Sequence, residues 1–200
     1  MTPAAIVLAA GRGTRFAAGP KLLALLDGKP LVRHVAEAAA ASAARPVLVV
    51  TGHRADEVAA CLAGLPVAVV PNPSYAEGLS TSLRAGFAAL PAGAPAAIVL
   101  LGDMPTVSAA LIDRLLAAWG EAGAPAALVP TLAGRRGNPV VLSAALRPEI
   151  ARLTGDAGAG PLLRGSADVR EWPLDDPAVG QDVDTVEALG ALRPAPPGRG

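Results

Sequence analysis

Five short, almost wholly apolar runs recur along the chain, each bounded by Pro or Gly: AAIVLAA (4–10), RPVLVVTG (45–52), LPVAVVP (65–71), PAAIVLLGD (95–103) and PAALVPT (125–131). Continuous apolar runs of this length suit strands covered on both faces. Helical patterns lie between them. SAALIDRLLAAWGEAG (108–123) places Leu111, Ile112, Leu115, Leu116 and Trp119 on one helical face. PLVRHVAEAAAAS (30–42) and RADEVAACLAG (54–64) have comparable length, although alanine blurs both of their faces. Strands alternating with helices predict an α/β fold, a parallel sheet with helices on both sides. Sheets of this kind bind ligands at the carboxyl ends of their strands. The loops that follow the apolar runs are therefore where chemistry is to be sought.

Two hundred residues, 52% hydrophobic and 17% charged, supply one domain with a sizeable core, read here as residues 1–192, with RPAPPGRG (193–200) as a disordered tail. Formal net charge is zero, so no basic field points to nucleic acid. Cys61 is the single cysteine, which excludes an internal disulfide and a cysteine-rich metal site. The start, MTPAAIVLAAG, has no basic leader and only a brief apolar run, so it reads as neither signal peptide nor membrane span, and a cytoplasmic protein is expected.

The first run opens into LAAGRGTRF (8–16), which contains two glycines, two arginines and a threonine, and then into GPKLL with Lys21. A dinucleotide fingerprint needs a further glycine where Phe16 stands and an acid after the second strand, where TGH stands. A P-loop needs Gly-Lys-Ser/Thr, and here Leu22 follows the lysine. What remains is a loop whose amides, freed by Gly11 and Gly13, can turn toward an anion, with Thr14, Arg15 and Lys21 beside them. Lys21 is one of only two lysines in a chain that otherwise uses arginine. A surface turn with solvated cations is the competing reading.

A second signal is VLLGDMP (99–105), where an apolar strand ends in Asp103, positioned either to hold a divalent cation against phosphate oxygens or to cap the turn that follows. A third is QDVDTVEAL (181–189): Asp182 and Asp184, two apart in an extended segment, face one side and can approach one cation. Of the pair, Asp182 is expected as the ligand and Asp184 as the cap of the short helix that follows. His34 and His53 carry no assigned role.

LAAGRGTRF…GPK, GLSTSL (78–83) and LLGDMP, in that order, resemble the MobA-like nucleotidyltransferases, most closely the molybdenum cofactor cytidylyltransferase group, from residue 5 to about 190. RRGNPVVL (135–142) and LTGDAGAGPLL (153–163) are similar to that group's Gly-His-Pro-Val and Gly-Asp-x-Gly-Ala-Arg segments, with Asn138 where the group often has His and Gly160 where it often has Arg. Both departures fall in the half that receives the acceptor.

The resemblance implies a three-layer α/β/α Rossmann-like fold with a mostly parallel central sheet. It also implies Mg²⁺-dependent transfer of a nucleotidyl group to an acceptor phosphate with release of pyrophosphate. Carried over by position, Leu8, Ala9, Ala10, Gly11, Gly13, Thr14, Arg15 and Lys21 would clasp the triphosphate, and Arg15, Lys21 and Asp103 would carry the catalysis. Asp103, Asp182 and Asp184 would hold Mg²⁺. Gly78, Ser80, Thr81 and Ser82 would line the base pocket, with at least one of the hydroxyls also capping a helix. Ala10, where guanylyl-transferring relatives commonly have a second glycine, favours CTP, a steric preference worth about 1 to 3 kcal/mol. A molybdopterin-type cofactor is the expected acceptor, and a molybdenum hydroxylase a transient partner. Two other readings stay open: a transferase for another small phosphate, and an insertion factor for a molybdenum enzyme that has lost catalysis.

Overall fold

A computed structural model describes residues 2–166 and 168–193. The chain begins with β1 (Ala4–Ala9), crosses a long loop and forms a hairpin, β2 (Leu25–Leu26) and β3 (Lys29–Pro30). It continues through α1 (Leu31–Ala41), β4 (Val47–Thr51), α2 (Ala55–Cys61), β5 (Ala68–Pro71), α3 (Leu79–Ala88) and β6 (Ala96–Leu101). α4 (Ala109–Glu121), β7 (Ala127–Leu132), β8 (Arg135–Arg136) and β9 (Val140–Ser143) follow. The last elements are α5 (Arg147–Ala151), α6 (Gly160–Gly165), β10 (Val169–Pro173) and α7 (Val186–Ala191). All but the first residue of the expected C-terminal tail lie outside the described residues.

The main sheet runs β10-β7-β9-β6-β1-β4-β5, with β8 paired to β7. β1 lies parallel between β4 and β6, with Val7 opposite both Val49 and Leu100. The sheet is mixed, mostly parallel, because β9 enters antiparallel between β6 and β7, placing Val141 opposite Ile98 and Leu128. Period-two alternation sends alternate residues of one strand to opposite layers. Ala5, Val7 and Ala9 meet Val32, Val35 and Leu115 of α1 and α4, and Ala4, Ile6 and Leu8 meet Leu83 and Phe87 of α3. That explains the unbroken apolar run of β1: every position is covered.

The run at 65–71 departs from the expectation of two-sided burial. Its strand, β5, bonds only to β4 among the described residues and forms one edge of the sheet. Val70 packs toward the α3 layer, whereas Val69 is left 42% exposed. A third cluster, Phe16, Leu26, Leu31, Val183 and Leu189, ties the first loop, the hairpin and α7 together. It brings the last segment of the chain to the carboxyl ends of β1 and β6.

Candidate active site

Adjacent parallel strands end side by side, so the loops after β1 and β6 share a rim, and Gly102 N–H donates to the Leu8 carbonyl across it at 3.0 Å. The β1 loop then folds back on itself. Gly13 has φ +58°, and a Cβ there would lie 2.8 Å from Lys21 Cβ, so only glycine lets the backbone pass so close to the lysine. Phe16 N–H closes the turn on the Gly13 carbonyl at 2.9 Å, and the buried Phe16 ring anchors the loop beside Val183.

Lys21 opens a 3₁₀ turn over Lys21–Leu23 and sends its ammonium into an acidic corner. Nζ donates to Asp103 Oδ2 at 2.5 Å and to Asp184 Oδ1 at 2.7 Å, while Arg15 Nη1 lies 2.7 Å from Asp184 Oδ2. Asp103 sits two residues past β6, and its carbonyl accepts from Val183 N–H at 2.9 Å. That bond, with the fully buried Val183 side chain, fixes the 182–184 segment so that its two carboxylates flank the contact. Oxygens of Asp103, Asp182 and Asp184 all fall within 4.8 Å of one another.

Burial opposes the charge of the Lys21 ammonium, but Asp103, by its charge and hydrogen bond, and then Asp184 hold its pKa above the ordinary lysine value. The hydrogen bond from Lys21, aided by the charges of Lys21 and Arg15, holds the Asp184 carboxyl below the usual carboxylate range against the opposing effect of its partial burial. One oxygen, Asp103 Oδ1, is buried without a hydrogen-bond partner among the described residues. A buried anionic oxygen left unpaired is costly. Three converging carboxylates, one with a spare buried oxygen, fit a hard divalent cation that takes one or two carboxylates plus substrate oxygens.

These groups edge a cleft of about 470 Å³. Of the residues singled out from sequence, Leu8, Ala10, Gly11, Gly13, Thr14, Arg15, Lys21, Gly78, Ser82, Asp103, Asp182 and Asp184 line it. Ala9, Ser80 and Thr81 do not. Ala9 points its methyl into the α1 side of the core. Ser80, Thr81 and Ser82 are consecutive in α3, and a helix turns about 100° per residue, so three neighbours cannot all face one cleft. Thr81 is spent inside: it accepts from Asn72 Nδ2 at 2.8 Å and donates to the Gly78 carbonyl at 2.8 Å. Asn72 also donates to Ser82 Oγ at 3.0 Å, fixing the one hydroxyl of the three that reaches the cleft. None of them caps α3; instead Asp156 Oδ1 accepts from Leu79 N–H at 3.3 Å.

Asp184 is likewise not a cap. Thr185 Oγ1 accepts from Ala188 N–H at 3.1 Å and caps α7, leaving both Asp184 oxygens to Lys21 and Arg15. Sequence reading missed Arg12, Tyr75 and Asp156, which also line the cleft. The Arg12 guanidinium lies 5.7 Å from the centre of the Tyr75 ring, so the β1 loop and the loop after β5 meet across the cleft. The available signal for Tyr75 was its place after a strand end; Asp156 lay within the quoted LTGDAGAG.

A second cavity of about 450 Å³ adjoins the first and shares Leu8, Leu79 and Leu101 with it. Asn138 and Gly160, the two departures noted in the sequence, both line it.

Residues 5–171 match the MobA-like NTP transferase domain. The chain is 34% identical to nicotine blue oxidoreductase of Paenarthrobacter nicotinovorans over 94% of each chain. It is 33% identical to bifunctional protein GlmU of Leifsonia xyli subsp. xyli over 95% of its own length, but spans only 43% of that longer protein. Among solved structures, Rv0371c of Mycobacterium tuberculosis H37Rv in complex with manganese superposes with a TM-score of 0.78 at 29% identity, covering 96% of this chain and 98% of that one.

Proposed function

The chain belongs to the MobA-like NTP transferase family, and from that premise we propose that it transfers CMP from CTP to the terminal phosphate of a molybdopterin-type molybdenum cofactor, releasing pyrophosphate. The observation that carries this reading is the corner where Lys21, Arg15, Asp103 and Asp184 interlock at the shared rim of β1 and β6. Lys21 steadies charge on the phosphorus under attack. The glycine-loosened β1 loop offers amides and Arg15 to the triphosphate. Asp103, with Asp182 and Asp184, would hold Mg²⁺, which when bound supplies charge neutralisation on phosphate oxygens; the Rv0371c structure with manganese supports a divalent ion here. An oxygen of the acceptor phosphate forms the new bond to the α-phosphorus, and the bond from that phosphorus to the β-phosphate bridging oxygen breaks. No side chain need act as a strong base, because the attacking phosphate is already an anion; positioning and charge neutralisation supply most of the rate. Ala10 at the cleft wall favours CTP over GTP. Among the described residues no helix is long and apolar enough to cross a membrane, and this reading goes with a cytoplasmic enzyme that passes its product to a molybdenum hydroxylase.

A matrix of nucleoside triphosphates and acceptors, read by pyrophosphate release, tests the proposal. Release requires Mg²⁺, CTP and the molybdopterin-type acceptor together; kcat/KM as high with GTP overturns the base assignment. A second reading follows from the relative named an oxidoreductase. Steady oxidation of NADH or NADPH by a dye acceptor, without pyrophosphate release in any pairing, would establish it instead. Hydride transfer has no use for three converging carboxylates against a lysine, so the corner favours the transferase.

A further inference from the structure

The ammonium that a triphosphate needs is already committed to the carboxylates that a divalent cation needs. Lys21 Nζ reaches Asp103 Oδ2 at 2.5 Å and Asp184 Oδ1 at 2.7 Å, and Arg15 Nη1 takes the other Asp184 oxygen at 2.7 Å. What the acidic corner still offers is Asp103 Oδ1 and the exposed Asp182. An ammonium and a hard cation cannot share the same two oxygens cheaply, because each brings a full positive charge to the same atoms.

Charge counting shows how sharp the conflict is. Asp103, Asp182 and Asp184 carry three negative charges and Lys21 and Arg15 two positive ones, so the corner keeps one net negative charge; without Lys21 it would keep two. Water screens these pairs little, since side-chain exposure is 11% for Lys21, 16% for Asp103 and 23% for Asp184. Breaking such a pair leaves poorly hydrated charges without partners. The lysine therefore leaves only when anionic oxygens take its ammonium and another cation takes its carboxylates.

Its stem has a direction in which to move. A Cβ at Gly13 would stand 2.8 Å from Lys21 Cβ and 3.6 Å from Cε, so the bare glycine keeps the flank of the lysine facing the β1 loop open. Gly11, Gly13 and Thr14 of that loop line the same cleft.

We propose that Lys21 also gates the cation: while its ammonium bridges Asp103 and Asp184 a divalent ion is held only loosely, and a triphosphate that draws the ammonium to its own oxygens opens the corner to the ion. This rests on the transferase reading, which supplies the triphosphate. By linkage the effect is reciprocal, so nucleotide and ion load the cleft together rather than separately.

The test titrates Mn²⁺ into the full chain, with the free ion read by electron paramagnetic resonance and the fold of each variant checked by circular dichroism. Without nucleotide, K21M and K21Q bind Mn²⁺ about tenfold or more tightly than wild type, whereas K21R, which keeps the charge, stays within about threefold of it. K29M, which changes the chain's other lysine, paired with Glu37 outside the corner, matches wild type. Adding D103N to K21M abolishes the gain, which locates the ion at the corner. A non-hydrolysable CTP analogue, titrated by calorimetry in the presence of a chelator, binds K21M about tenfold or more weakly than wild type, as transfer of the ammonium to the triphosphate requires. Mn²⁺ affinity within about twofold of wild type in both K21M and K21Q, an equal gain in K21R, a gain that survives D103N, or unchanged analogue affinity in K21M overturns the proposal. Absence of analogue binding to wild type instead sinks the transferase reading, and the nucleotide-free Mn²⁺ titrations then still score the lysine by the same criteria.

Discussion

The charged cleft and the cavity beside it are built on opposite plans. In the cleft, charges are paired with one another before any ligand arrives: Lys21 with Asp103 and Asp184, and Arg15 with Asp184. In the cavity, a wall of glycine and alanine and an apolar floor leave open space, and of its two arginines, Arg136 and Arg164, only Arg136 makes a hydrogen bond or ion pair among the described residues, to Glu171 and the Leu163 carbonyl. A charged site needs its groups held against a fixed scaffold, and strand ends provide one; a site for a large body needs mainly room. The charged cleft therefore shows itself as side chains, and the cavity beside it as absent side chains.

Removing a carboxylate from the charged half has the largest expected effect. Asp103→Asn keeps shape and fold but loses the charge that completes the acidic corner, and transfer falls by about 10³-fold or more, with the Mg²⁺ requirement moved upward. Circular dichroism checks the fold, and a Mg²⁺ titration of the residual rate checks the cause. An unchanged metal dependence would remove Asp103 from the metal site.

Lys21→Ala comes next, with a rate loss of about 10² to 10³-fold. It also leaves Asp103 facing Asp184 with only Arg15 on Asp184 to offset their charges, so the metal-free variant loses about 1 to 3 kcal/mol of stability. Mg²⁺ restores Tm but not turnover. The pair also has a pH signature. The raised Lys21 pKa gives stability present below about 10.4 and lost as pH rises through the higher folded value. The lowered Asp184 pKa gives stability present above about 3.9 and lost as pH falls through the lower folded value. Metal-free Lys21→Ala therefore shows a flatter Tm against pH at both ends than the wild type.

Much of the charged half was legible because its residues are rare or end a conspicuous run: a scarce lysine, an aspartate closing VLLGD, an Asp-x-Asp pair. The strands β1, β4, β6 and β7 were legible for the same reason, since burial on both faces leaves an unbroken apolar stretch. β5 misled because an edge strand can keep apolar residues on an exposed face, and β9 and β10 were too short or too polar to stand out; VREWP leaves Arg170, Glu171 and Pro173 exposed. Neighbouring residues in a helix look equivalent in sequence, so GLSTSL gave no sign that only Ser82 of its hydroxyls reaches the cleft. Asp156 was hidden by a long-range contact: LTGDAGAG serves both cavities, with Asp156 on the charged cleft and Gly158 on the second cavity.

That shared loop gives a way to test how far the two halves are independent. Gly78 sits at φ +115°, and a Cβ there would come within 2.5 Å of the Gly155 carbonyl carbon and oxygen. Ser80 N–H also donates to that Gly155 carbonyl at 3.1 Å. Gly78→Ala must push the two loops apart, costing about 1 to 3 kcal/mol by melting. If the halves are coupled through this contact, KM rises for nucleotide and acceptor together; a rise for nucleotide alone shows that the cleft and the cavity move separately.

The smallest effect separates structural from chemical acids in the last segment. Thr185 caps α7 through Ala188 N–H, while Asp184, one residue earlier, is held by Lys21 and Arg15. Thr185→Ala should cost about 1 kcal/mol, read as a lower Tm, with the Mg²⁺ concentration for half-maximal rate little changed, because the cap lies outside the acidic corner. Asp184→Ser preserves a residue able to cap a helix and so tests the opposite assignment. If Asp184 acted only as a cap, its rate would stay near wild type; since both its oxygens face cations, we expect a higher Mg²⁺ requirement and a reduced rate. Asp182→Asn, whose carboxylate shares the corner, should shift the Mg²⁺ requirement in the same direction. Loss of stability in Thr185→Ala without a metal shift, beside a metal shift in both aspartate variants, assigns the helix end to Thr185 and the cation to the acids on either side of Val183.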